Sequence, residues 1–208
     1  MATGGTLVWR SLEAWAPRLF FVGFVLELVF AVNHGLAYLM EGITFLDWIY
    51  PAVLVGRLAM LFGLAGLSVQ ITSRNARLGT LSRVVVSLTV LFTTGLVTLS
   101  ILQLVGITTQ LIAVFGVGTV LLTILTLLLY GGAGLRTGAY PSAVGGLLLV
   151  AALAVVFVLV GQGSFSTNLR GAVGEGVNAF AFLAIWYLLR GEARAAGSGE
   201  RAPSTPTG

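Results

Sequence analysis

Long runs that are apolar on every side constrain this chain more than any other feature. Val84 to Val105 and Ala143 to Val160 offer no polar face to water. Within a bilayer the backbone finds no hydrogen-bond partner outside itself, so a span must be a helix or part of a closed barrel. Barrel strands alternate apolar and polar residues over roughly ten positions. These runs do not alternate, which excludes a barrel and leaves helices of the ~20 residues needed to cross. Composition agrees: 57% of the 208 residues are hydrophobic and 9% are charged, against about 25% charged in an ordinary soluble domain.

Six segments meet the length requirement, at about 19–40, 49–71, 84–105, 109–131, 143–161 and 172–190. Gly106, Ile107 and Thr108 form the short turn between the third and fourth. Pro51 suits the first turn of the second span, and Pro141 precedes the fifth. The first run is as long as a full span and lacks a small-residue cleavage pattern, unlike a signal peptide. The fold expected is all-α: residues 1–190 form an integral membrane bundle of six transmembrane helices. Gly191 to Gly208, rich in Gly, Ala, Ser and Pro, reads as a disordered cytoplasmic tail.

Arginines orient the bundle. Arg10, Arg18, Arg74, Arg77, Arg83, Arg136, Arg190, Arg194 and Arg201 fall on one side of the six-span threading, and Arg170 on the other. Basic residues concentrate in cytoplasmic loops, so both termini are expected in the cytoplasm, in the cell membrane. Trp9, Trp15, Tyr130, Tyr140, Trp186 and Tyr187 mark one interface, and Tyr38, Trp48 and Tyr50 the other. The net charge of +4 comes from arginines flanking spans, which does not read as a nucleic-acid surface. The partners expected are the lipid bilayer and a membrane protein or a second copy of the chain.

Several chemistries are excluded by residue type. There is no cysteine, hence no disulfide, thiol nucleophile or cysteine-held zinc or iron–sulfur cluster. All eleven basic residues are arginine, so no lysine is present to form a Schiff base. No catalytic motif and no converging metal-ligand set is visible. Ala52/Gly56 and Ala59/Gly63 allow close helix approach, and Ser87, Thr94, Thr98, Thr119, Thr123 and Thr126 suit interhelical packing.

A charge at the bilayer centre costs roughly 2.5–3.5 kcal/mol, so the ionisable residues within spans are the candidates for function. They are Glu27 and His34 in the first span, Arg57 in the second and Glu175 in the sixth, accompanied by Asn33 and Asn178. From helix rise, Asn33, His34, Arg57 and Asn178 fall about 4–6 Å and Glu175 about 9 Å to the outer side of the midplane. Glu27 falls about 4–5 Å to the inner side. Glu27, Ala31, His34, Tyr38 and Glu41 share one helix face, as do Glu175 and Asn178. Glu175 is then the first partner for Arg57 and Glu27 the second. Glu41 and Asp47, near the outer end, read as solvated.

These residues form a candidate binding cluster with no catalytic or metal role assigned. The leading expectation is a non-catalytic membrane subunit or partner of a larger membrane complex, without a cofactor. The alternative is a small-solute, ion or proton transporter using an outward-facing polar cavity among spans 1, 2 and 6. A second alternative is a haem protein or other intramembrane enzyme, with haem held at His34 by Met60 or by a second protomer's histidine.

Overall fold

A computed structural model of the chain describes residues 3–40, 49–107, 109–161 and 165–199, with side chains described over 8–40, 49–107, 109–161 and 165–192. Among these residues the chain is six helices: α1 (Thr3–Leu39), α2 (Ile49–Arg74), α3 (Ala76–Leu104), α4 (Leu111–Thr137), α5 (Ser142–Val160) and α6 (Thr167–Gly199). Every one is long and apolar enough to cross a membrane. Thr108, Glu41, Asp47 and Trp48 lie outside the described residues.

Short joints make sequential helices antiparallel neighbours. Asn75 alone separates α2 from α3, its side chain accepting from the Leu78 amide at 3.1 Å as an N-cap. After α3, Gly106 turns left-handed at φ 84°, and the Gly106 and Ile107 amides donate back to Gln103 and Leu102. That Schellman geometry needs a residue without Cβ strain just past the cap Val105, which glycine supplies. Gly138, also left-handed at φ 60°, ends α4 by the simpler αL motif, its amide donating to the Gly134 carbonyl. Each helix packs on the next, and α6 returns to α1, closing a ring in which α2 is the most buried member. The start of α1 and the end of α6 therefore share one end of the bundle, as Phe20 against Phe182 and Phe21 against Trp186 show.

The helices outrun the spans read from hydropathy. α1 begins at Thr3 and passes straight through Pro17. The tail expected to be disordered from Gly191 instead starts as helix, since α6 continues to Gly199. Glu192 to Ala196 is a run of strong helix formers extending an already nucleated helix. Residues 200–208 lie outside the described residues.

A buried core of Phe20, Met60, Leu61, Leu64, Leu127, Tyr130, Leu148, Phe182 and Ile185 fills the half of the bundle nearer the arginine-rich end. Between α3 and α4 the packing is partly polar. Thr89 and Thr126 share a hydroxyl hydrogen bond of 2.7 Å, and each also bonds a carbonyl of its own helix. Thr119 and Thr123 are buried there as expected, while Ser87, Thr94 and Thr98 face outward.

Candidate functional site: a buried Glu–Arg–Glu triad

Close backbone approaches decide which charges meet. A Cβ built on Gly56 of α2 would stand 2.7 Å from the Leu26 Cβ of α1, and one on Gly63 would stand 3.1 Å from the Phe20 ring. On its other flank α1 meets α6 just as closely. A Cβ on Gly171 would lie 2.5 Å from His34 Cδ2, and one on Gly176 would lie 4.0 Å from Ala31. The residues beside these contacts are Glu27, Arg57 and Glu175, one from each helix.

Their side chains converge. Arg57 Nε donates to Glu27 Oε1 at 3.0 Å, and Arg57 Nη2 donates to Glu175 Oε1 at 2.5 Å. Glu27 and Glu175 are 1% and 5% exposed, while the Arg57 side chain retains 18%. Asn178, one turn along α6, donates Nδ2 to Glu175 Oε2 at 3.4 Å. Two carboxylates thus share one guanidinium. Glu27 Oε2 and Asn178 Oδ1 are buried with no hydrogen-bond partner among the described residues. A low-dielectric surrounding strengthens these pairings and raises the cost of whatever is left unpaired.

Four of the six candidate residues therefore form one network, and Arg57 takes both predicted partners instead of choosing between them. The difference in depth expected between Glu27 and Arg57 is not seen. The contact of Leu26 with Gly56 puts Glu27 and Arg57 at one level.

His34 turns elsewhere. Its Nδ1 lies 3.3 Å from Asn168 Oδ1, its ring meets Phe30 edge-on, and it stands within electrostatic reach of Glu175. Asn168 also donates to the Ala37 carbonyl at 3.4 Å, joining α6 to the C-terminal end of α1. Asn33 sits on a different face from Glu27, 8% exposed, with Nδ2 unpartnered among the described residues. The pairing of His34 with Met60 around a haem does not fit. His34 lies eight residues from Leu26 toward one end of the bundle and Met60 four residues from Gly56 toward the other, about 18 Å apart along the helices, and Met60 is packed into the core at 1% exposure.

Three further polar features escaped the sequence reading. Arg170, the one flanking arginine that the threading sets apart from the other nine, is 8% exposed. It closes the C-terminal end of α5 by donating Nη1 to the Val158 carbonyl at 2.7 Å and Nε to the Phe165 carbonyl at 3.3 Å. At the opposite end, a cavity of about 270 Å³ between α1, α2 and α6 is lined by Glu13, Pro17, Leu67, Gln70, Leu189 and Glu192. It occupies the same three helices as the triad, at the end opposite the outward cavity expected. Arginines there stack on tryptophans: Arg18 over Trp15 at 4.7 Å, Arg83 over Trp9 at 5.1 Å and Arg190 over Trp186 at 5.3 Å. The cavity, the Arg83–Trp9 stack and the carbonyl partners of Arg170 depend on which helices lie side by side, whereas Arg18 with Trp15 and Arg190 with Trp186 stack within one helix at spacings of three and four.

Compared with family models, with curated proteins and with solved structures, the chain has no match in any of the three.

Proposed function

We propose that this multi-pass membrane protein transports a small solute, an ion or protons, with the Glu27–Arg57–Glu175 triad as its working site. The observation that carries the reading is the buried charge itself. One neutral pair suffices to tie two helices together, whereas here a third ionisable side chain is brought to the same point at further cost. Membrane transport sites are commonly built this way, from ionisable groups facing the bundle interior on several helices. The arginine-rich end, with its tryptophan-stacked guanidinium groups, is assigned to the cytoplasm of a cell membrane, which puts both ends of the bundle inside.

The test is flux into liposomes containing purified protein, under imposed pH, ion and solute gradients. Wild-type protein is expected to dissipate one of these gradients, and folded Arg57→Gln and Glu175→Gln variants are expected not to. A second reading is favoured by a different fact, that Arg57 already meets both carboxylates. On that reading the triad is a lock and the chain is a non-catalytic subunit held in a larger membrane assembly. Silence in every gradient, together with co-purification of a stoichiometric membrane partner lost on detaching α3 and α4 surface residues, would favour it.

A further inference from the structure

Resting on the transport reading, the geometry points to the class of ligand: we propose that the triad binds one monovalent cation, a proton or Na⁺, through its buried oxygens that lack a partner among the described residues, Glu27 Oε2 and Asn178 Oδ1. The argument is one of charge and of unmet hydrogen-bonding capacity. Two carboxylates and one guanidinium sum to a single negative charge, held where Glu27 and Glu175 are 1% and 5% exposed. An uncompensated charge in such surroundings is far costlier than a paired one. Within the network, the buried atoms without a partner among the described residues are both oxygens, Glu27 Oε2 and Asn178 Oδ1. A carboxylate oxygen and an amide oxygen can only accept or coordinate. One bound cation removes the net charge and occupies an empty acceptor at once. An anion would do neither, and would face two carboxylates already holding the guanidinium from Nε and Nη2.

The other titratable groups facing the triad are His34 on α1 and Tyr50 on α2. A charged His34 would balance the count, but it sits seven residues beyond Glu27, about 10 Å along the helix. Its Nδ1 faces Asn168, so it leaves both empty oxygens unmet. His34→Gln is accordingly expected to preserve cation binding.

Two measurements on the purified wild-type chain decide the matter without a variant. One is the infrared band of a protonated carboxyl group in Na⁺-free buffer. The other is the melting temperature in NaCl against choline chloride at equal ionic strength. A proton ligand gives one protonated carboxyl per chain. A Na⁺ ligand gives a saturable stabilisation that choline does not reproduce. A band that NaCl removes means the site exchanges the two. Absence of both signatures overturns the proposal. Glu27→Gln is expected to abolish whichever signature is found. Where that variant does not fold, Asn178→Leu is expected to weaken Na⁺ stabilisation about tenfold or to shift the carboxyl band, and an unmoved signature would overturn the assignment of Asn178. Binding without flux rejects transport and leaves the cation site standing, whereas flux of a neutral solute with neither signature does the reverse.

Discussion

Gly56 on α2 and Leu26 on α1 touch so closely that no side chain fits between them, and the next residue along each helix is one half of an ion pair. Glycine here sets the distance over which Arg57 reaches Glu27. Gly56→Val must push α1 and α2 apart, because the obstructing Leu26 Cβ is fixed to its backbone at 2.7 Å. Overpacking of this kind costs about 1–3 kcal/mol. Thermal or denaturant unfolding in detergent should show that loss. An unchanged stability would mean that the helices are not pressed together at this point.

Arg57→Ala is expected to destabilise the fold by about 3–5 kcal/mol, since it strands two buried carboxylates. Adding Glu175→Gln should recover part of the loss, and adding Glu27→Gln should do likewise. Equal coupling in both double-mutant cycles is the outcome expected for a guanidinium shared between the two. Zero coupling with either glutamate would remove that residue from the triad. Arg57→Lys should restore little, because one ammonium cannot reproduce two donors set at a fixed angle.

Much of this was legible in the residues before any coordinates. Hydropathy finds spans because lipid allows no unsatisfied backbone, so Val84 to Val105 could be nothing but a crossing helix. The need of a buried arginine for an anion pointed to Glu175 and Glu27 in turn. Level and direction were harder to read. The level of Glu27 relative to Arg57 was not legible because an apolar run does not reveal how two helices slide against each other, which the approach of Leu26 to Gly56 settles. His34 shares a face with Glu27 yet meets Asn168, since one face of a helix touches different neighbours at different heights. The role of Arg170 was not legible because its partners are carbonyls, which every sequence possesses and none displays.

Arg170→Ala should cost about 1–2 kcal/mol by exposing the last carbonyls of α5 and removing positive charge from that helix end. The bond to Val158, at 2.7 Å, is the main one at stake. Arg170→Lys is expected to fall between wild type and alanine, retaining charge while losing the fork. Melting temperatures of the three proteins test the order, and a lysine variant no better than alanine would assign the whole effect to hydrogen-bond geometry.

Tyr140, in the joint between α4 and α5, donates its hydroxyl to the Tyr130 carbonyl and lies against Gly134. Burial holds its phenol well above the ordinary tyrosine range. The neutral form is therefore the one the fold favours. This contribution is complete below the unfolded value near pH 10 and is lost as pH climbs through the folded one. Tyr140→Phe should cost about 1 kcal/mol at neutral pH. Its stability should also fall less steeply than wild type under alkaline conditions, and parallel curves would contradict the sign.

Because the chain lacks cysteine, single replacements report sidedness cleanly. Ala76 and Ile107 are exposed at opposite ends of α3. Intact cells treated with an impermeant maleimide should label Ile107→Cys, and Ala76→Cys should react only after lysis. The reverse pattern would invert the assigned orientation.

The ring of helices closes only when α6 meets α1, and this gives biosynthesis a definite electrical order. Glu27 and Arg57 both belong to the first two helices, which are synthesised before the other four and pack on each other in the fold. Those two helices carry their own neutral pair and can enter lipid without waiting for later segments. The surplus carboxylate arrives last, on α6, so the nascent chain carries the odd charge into the membrane only when the other five helices are in place to receive it.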